Sequence, residues 1–420
     1  MIYPFVTTGA EGTDFPGFNN TALQSAVDAV ASGGEVRLSA GTYEMYDSLR
    51  LRSGVTVRGQ GEKTILFKPP SIESNVSRYM GVGHFEVAVT NPERFNPGMG
   101  VYIYDNHAGG FYSTVATIVS IDGIYLNLSR ALCSDIHYNG GGKVVSVFPI
   151  VEGYGISDAG ITDLVIDGNR QNNAYINGCR GAGVFLVQSD RVVMRNLTVR
   201  NFNGDALSFQ HGVGCIAENN ICEGNSGSGL HPGGGSVAPL LRGNKCIYND
   251  GDGIFYCLRV TYSTCENNIC TGNGRNGISI GHRDNNLLIR GNSFENNRET
   301  GVYYRPDSTG DTGVSVIFEN NTIRGNSGGE HGTQIRFDRT AAQNVCFFGN
   351  TIIAQSGQHA ISGSDEPESL YLDGNNIEGN IEFSGNGVHY ERPAVLPEAG
   401  CDLAKPEHAR HLGRPDRIAF

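Results

Sequence analysis

Asn244-Lys245-Cys246-Ile247-Tyr248-Asn249 returns in step as Asn268-Ile269-Cys270-Thr271-Gly272-Asn273, and again as Asn292-Ser293-Phe294-Glu295-Asn296-Asn297. Each copy starts 24 residues after the last. Upstream the same pair is Asn196/Asn201 and Asn220/Asn225; downstream it is Asn321/Asn326, Asn350 with Gln355, and Asn375/Asn380. Between the paired residues stands an apolar one in register: Cys222, Cys246, Cys270, Phe294, Ile323, Ile352, Ile377. A fixed period in the low twenties means a stacked solenoid. Segments such as Gly277-Ile278-Ser279-Ile280 alternate with period two between Asn/Gly corners, which is the strand signal. No long helical stripe interrupts them, so the expected fold is all-β, a right-handed parallel β-helix with three short strands per rung and rungs roughly 4.8 Å apart. Asn accepts left-handed corners and hydrogen-bonds its like above and below. The Cys column reads as a small apolar stack inside the coil.

The flanks differ from the repeat. Ala22-Leu23-Gln24-Ser25-Ala26-Val27-Asp28-Ala29-Val30 is an amphipathic helix behind an Asn19-Asn20-Thr21 cap, spanning about 20–31. Residues of about 85–150 are strand-like but off the repeat, and predict a small β-hairpin insertion. Regular coils run over about 155–385, so 1–390 reads as one β-helix domain and 391–420, richer in Pro and charge, as a C-terminal tail.

Bulk properties exclude several classes. With 31 Lys+Arg against 43 Asp+Glu, a net charge of -12 argues against nucleic acid. No apolar run is long enough for a membrane span, so none is expected, and Met1-Ile2-Tyr3-Pro4-Phe5 shows neither the charged nor the apolar region of a signal peptide. The ten Cys form no CxxC pair and no zinc spacing, so a structural role is expected and no metal ligand is named. No cofactor is expected, although one structural Ca²⁺ is compatible with the loops.

Aligned rungs let side chains be sorted into columns. The landmark pairs Ala206-Leu207, Gly229-Leu230, Gly253-Ile254, Gly277-Ile278 and Gly301-Val302 set the register. Before them stand Asp205, Ser228, Asp252, Asn276 and Thr300; after them Ser208, His231, Phe255, Ser279, Tyr303 and then Gln334. Two positions further come Cys257, Gly281, Arg305 and Arg336, and at the strand ends His211, Arg259, His282 and Arg283. A rigid face mixing carboxylates, imidazoles, Tyr and Arg suits an extended polymer. Arg259, Arg283, Arg305 and Arg336 offer planar forks for carboxylate or sulfate, with His211 beside them as a further substrate contact. The alternative is that these Arg pair with neighbouring acids such as Asp284 and Asp338. Asp205 and Asp252 share a column two rungs apart, roughly 9–10 Å, a separation that suits an inverting hydrolase. Both also fit ordinary corner capping. His231 and His282 are candidate bases and Tyr303 a candidate acid.

The opening of the chain, Ala22–Val30, Gly33-Gly34, Glu35-Val36-Arg37-Leu38 and Ala40-Gly41-Thr42-Tyr43, resembles the N-terminal cap of the pectate-lyase-like superfamily of right-handed β-helices, with Ser39 where Pro is usual. The resemblance covers about 5–60 by motif and about 155–385 by repeat. It implies a carbohydrate-active protein, secreted or periplasmic. Leu164-Val165-Ile166-Asp167-Gly168-Asn169-Arg170 resembles the segment preceding the catalytic coils of mannuronan C5-epimerases. The Tyr-Gly-x-Asp-Pro-His motif of those enzymes falls on Asp205-Ala206-Leu207-Ser208-Phe209-Gln210, which keeps none of its three catalytic residues in place. Gly204-Asp205-Ala206 keeps one Asp of the polygalacturonase Gly-Asp-Asp, and Asn276 stands where its His is required before Gly277.

The expectation is an enzyme that cleaves or modifies a polysaccharide, anionic by its Arg strip, as a lyase or epimerase: Arg305 or Arg283 neutralises a uronate, His231 or His282 takes the proton, and Tyr303 protonates the leaving oxygen. The alternatives are an inverting hydrolase or transferase using Asp205 and Asp252, and a non-catalytic glycan-binding β-helix such as a phage tail-fibre adhesin. Monomer and homo-oligomer, a trimer included, both stay open.

Overall fold

A computed structural model describes residues 4–306, 313–327, 329, 332–338, 342–383 and 385–401. The chain divides into two compact units: residues 1–153 with 162–185 and 199–208, and residues 154–161 with 186–198 and 209–420. Among the described residues no helix is long and apolar enough to cross a membrane.

In the first unit the capping helix spans Asn20–Ala29, its N-cap Asn19 accepting from the Ala22 amide at 2.9 Å. Its apolar stripe, Leu23, Ala26 and Val27, is fully buried. Strands Phe5–Gly9, Glu35–Leu38 and Thr56–Arg58 then stack in parallel register, Val6 on Val36 on Val57. The hairpin expected in the insertion is present, Gly100–Tyr104 with Thr114–Asp122, and it is the centre of a six-stranded antiparallel sheet reaching from Glu73 to Val145. That sheet has its own core around Val87, Val101, Ile103, Ile118, Leu126 and Val144. Where insertion and rungs meet, Arg50 holds Asp47 at 2.6 Å and Glu152 at 3.2 Å, Arg130 reaches Glu152 at 3.0 Å, and Thr117 donates to Asp47 at 2.9 Å.

The second unit is the regular solenoid, three strands per rung. One sheet runs through Ile216–Glu218, Leu240–Arg242, Thr264–Glu266, Leu288–Arg290 and Val316–Glu319. A second runs through Ile221–Glu223, Lys245–Ile247, Ile269–Thr271, Ser293–Glu295 and Thr322–Arg324. The third runs through Leu230–Gly233, Ile254–Phe255, Ile278–Ile280, Val302–Tyr304 and Thr333–Phe337. Cys222, Cys246 and Cys270 pair in register and are fully buried, as an inward column requires.

Two amide columns join successive rungs. Asn220, Asn244, Asn268, Asn292, Asn321, Asn350 and Asn375 hand each side-chain N–H to the next carboxamide oxygen at 2.9 Å. The second column, Asn225 to Asn326, continues through Gln334, which accepts from Asn326 at 2.8 Å and donates to Gln358 at 2.9 Å. Gln355, expected in that column, instead donates to the Gly325 carbonyl. The corner before the first column alternates Asn and Gly, all left-handed: Asn219, Gly243, Asn267, Gly291, Asn320, Gly349. A Cβ at Gly243 would lie 2.4 Å from the Asn219 Oδ1, so each Asn side chain occupies the space its Gly neighbour leaves.

The tail folds back over the first sheet. Gly400 donates to the Asn286 carbonyl at 2.8 Å, and the Asn286 amide donates to that of Glu398. The remainder of the expected tail, 402–420, lies outside the described residues.

Candidate functional site

The third sheet of the second unit carries most of the candidate strip. Its inward columns are apolar: Leu230, Ile254, Ile278, Val302, Ile335 and, two residues on, Tyr256, Ile280, Tyr304, Phe337, all fully buried. Period-two alternation then turns His231, Phe255, Ser279, Tyr303 and Arg336 to the other face. Arg336 pairs with Tyr303 rather than extending the Arg305 column. The longer rung before it displaces the register, and the position expected for Gln334 goes to Arg336 while Gln334 joins the amide column.

At this point a groove of about 820 Å³ opens, lined by Arg275, Arg298, Glu299, Thr300, Tyr303 and Arg336 among others. Arg336 Nε donates to Asp338 Oδ2 at 2.6 Å, and the Tyr303 hydroxyl donates to the same oxygen at 3.3 Å. Burial, then the Asp338 charge and hydrogen bond, push the Tyr303 phenol up to about 12. Burial works against ionisation of Asp338 as well, but Arg336 and then Ser364 together outweigh it and hold the carboxyl below its usual range. A protonated phenol and a guanidinium of the groove lining therefore share one fixed carboxylate. Arg275 stands opposite Glu299 at 3.8 Å, both about half exposed.

Other candidates are placed differently. Asp252 is 1% exposed and accepts from the Asn276 amide N–H at 2.9 Å, the Asn276 side chain at 2.8 Å and the Ser279 hydroxyl at 2.9 Å. Asn276 in turn accepts from Thr300, so this column is a third corner ladder. Arg305 lies flat over the Phe255 ring, 4.2 Å from its centroid, and donates to the carbonyls of Tyr256 and Cys257. It crosses Gly281, where a Cβ would sit 2.9 Å from its Nε. Beneath it, buried Asp284 accepts from Val260 and Gly281 amides, with Arg305 3.7 Å away. Burial dominates there and raises the Asp284 carboxyl to about 8. His231 is buried, edge-on to Phe255 at 5.0 Å. It stands three rungs from Tyr303, roughly 14 Å at the usual strand spacing, too far for both to act on one sugar ring. His282 and Arg283 occupy an exposed left-handed corner, and Arg259, also left-handed, donates its amide to the His282 carbonyl at 2.9 Å. Burial, with the Arg259 charge adding to it, lowers the His211 imidazole pKa. Asp205 belongs to the first unit, where it opens the strand Asp205–Gln210 and is 7% exposed. There, burial and then the Asp205 charge push the Tyr175 phenol up to about 12.

Arg275, Arg298 and Glu299 were not among the sequence candidates. They sit at corners, where alternation does not say which way a side chain turns; the signal available was three charged residues beside consecutive ladder Asn, Asn273 and Asn297.

The architecture defines a right-handed parallel β-helix. The family model described as a right handed beta helix region matches residues 159–311. A search of curated protein sequences gave no match. Among solved structures, the A-module of the Azotobacter vinelandii mannuronan C-5 epimerase AlgE4 is similar with a TM-score of 0.58 and 18% identity, covering 88% of this chain and 94% of that one. The XylC–xylose complex gives 0.52 at 12% identity, covering 88% and 71%. An alginate lyase from Paenibacillus sp. gives 0.50 at 13%, covering 91% and 99%. At such identities the likeness is one of fold.

Proposed function

We propose that this chain is an enzyme that cleaves or modifies an anionic polysaccharide, as a lyase or epimerase, with the polymer lying in the groove beside Tyr303. The observation that carries this reading is that Tyr303 and Arg336 line the groove and both donate to one carboxylate, Asp338. Arg336, with Arg275 and Arg298 around the rim, supplies the positive charge that a uronate carboxylate requires. Neutralising that carboxylate acidifies the carbon-bound proton beside it. Glu299 is the half-exposed carboxylate placed to accept the proton. The Tyr303 hydroxyl, kept protonated, donates to the leaving oxygen in a lyase or to the opposite face of the carbanion in an epimerase, and Arg336 stabilises the phenolate left behind. His231 and Arg305 have no part on this sugar, being three rungs away and strapped across Phe255 respectively.

The two alginate-related enzymes sharing this scaffold make uronate polymers the first substrates to try. The test is a screen of alginate, pectate and glycosaminoglycans, following ultraviolet absorbance of unsaturated products, reducing ends, and proton NMR of the recovered polymer. Tyr303→Phe is expected to cut kcat by about 10²–10⁴, the usual contribution of a general acid. Arg336→Ala should raise KM and lower kcat together. Full turnover in Tyr303→Phe sinks the assignment of the acid; silence of the wild-type chain in all three readouts sinks the enzyme.

A further inference from the structure

A second site stands apart from the Tyr303 groove, in the same unit. We propose that His231 and Cys257 form a binding site for a thiophilic transition-metal ion such as Zn²⁺. The two residues come from adjacent rungs, and their ligand atoms lie within 4.8 Å of one another. A metal held by one imidazole nitrogen at about 2.0–2.1 Å and one thiolate at about 2.3 Å needs those atoms about 3.6 Å apart if tetrahedral and about 4.4 Å apart if linear. The observed limit admits both.

The surroundings are built to hold the pair. Gly233, on the His231 strand, faces both residues: a Cβ there would lie 2.8 Å from the Cys257 Cβ and 3.3 Å from His231 Nε2. Any larger residue would fill the gap an ion requires. The imidazole is fixed edge-on against Phe255 at 5.0 Å, and Phe255 is itself pinned under the Arg305 guanidinium at 4.2 Å. Arg305 also donates to the Cys257 carbonyl at 3.1 Å, so one side chain fixes both ends of the pair. His231 is 3% exposed and Cys257 is half-buried, so a metal would reach them from the thiol side. A nitrogen and a sulfur donor suit Zn²⁺ or Cu⁺ rather than Ca²⁺ or Mg²⁺. Binding converts the thiol to thiolate and releases its proton to solvent, while the metal keeps its charge state. The pair is separated by 26 residues, one repeat plus two.

This proposal is independent of the groove chemistry, and its readout is not turnover. Chelator-treated protein is titrated with Co²⁺ under reducing conditions, and thiolate-to-cobalt charge-transfer absorption is recorded. A band that saturates stoichiometrically, is displaced by Zn²⁺, and is lost in Cys257→Ser and His231→Ala is expected. Cys133→Ser, which removes an exposed thiol elsewhere, should keep it. Absence of the band, or its survival in Cys257→Ser, overturns the site. Should either variant misfold, the wild-type chain decides: Zn²⁺ must shield Cys257 from alkylation by mass spectrometry, and undiminished labelling overturns the proposal.

Discussion

Two columns in the second unit solve the same stacking problem with opposite chemistry. Along the buried corner, Asn220 to Asn375 repeats one residue; along the outer face of the first sheet, Arg195, Glu218, Arg242, Glu266, Arg290 and Glu319 alternate in sign, strictly in register. A carboxamide both donates and accepts, so copies of it can stack without net charge. A charged group stacked on its like would be repelled at strand spacing, so the column must alternate. Arg195 meets Glu218 at 2.6 Å and Arg290 meets Glu266 at 2.7 Å, with Arg242 bridging both acids. Repetition of shape and repetition of sequence are therefore separate things in a solenoid.

Breaking the amide column should have the largest effect. Asn268 accepts from the Asn244 backbone and side chain, and donates to Asn292 and to the Leu241 carbonyl. Asn268→Ala leaves several of these groups buried without partners and should cost roughly 2–4 kcal/mol, at about 1–3 kcal/mol per orphaned group with partial relaxation. Asn268→Asp should cost more, since a carboxylate oxygen would face the Leu241 carbonyl and the Asn292 oxygen. The check is the urea midpoint of each variant; equal midpoints for wild type and Asn268→Ala would show that the column is ornamental.

That contrast also explains what could be read from the sequence. The amide column and the Cys222/Cys246/Cys270 stack were legible because identical residues recur at one spacing. The charge column was not, since alternation between Arg and Glu cancels in any search for identity. The strip on the third sheet was legible as a face but not as a site. Period-two alternation assigned His231, Phe255 and Tyr303 to one side correctly, yet Asp252 turned out to end a ladder and Arg305 to strap two rungs. Their partners lie one or two rungs away, and sequence gives no distance across rungs. Beyond Tyr304 the longer rung broke the register, so Arg336 was expected one column from its place.

Buried and paired carboxylates shift oppositely. Burial outweighs Arg305 and two amide donors at Asp284, so its folded pKa, about 8, lies far above an unfolded carboxylate. A raised pKa gives stability present in full below the unfolded value and lost as pH rises through about 8. The urea midpoint should fall between about pH 4 and about pH 8 and level off above, and Asp284→Asn should flatten that fall. An unchanged slope in the variant would place the loss on another group.

At Glu266 the balance reverses. Burial again raises the carboxyl, but hydrogen bonds from Arg290 and Arg242, with their charges, pull it below its usual range. A depressed pKa gives stability present above the unfolded value and lost as pH falls through the folded one. Both guanidinium partners are nearly half exposed, so solvent screens the pairs and the effect of Glu266→Gln should be only about 1 kcal/mol near neutrality. It should shrink toward zero as pH falls through the depressed folded value, where the wild-type side chain becomes neutral too, and in molar salt. A loss that ignored both salt and acid would mean Glu266 contributes by packing alone, and the alternating column would then be a consequence of register rather than a support for it.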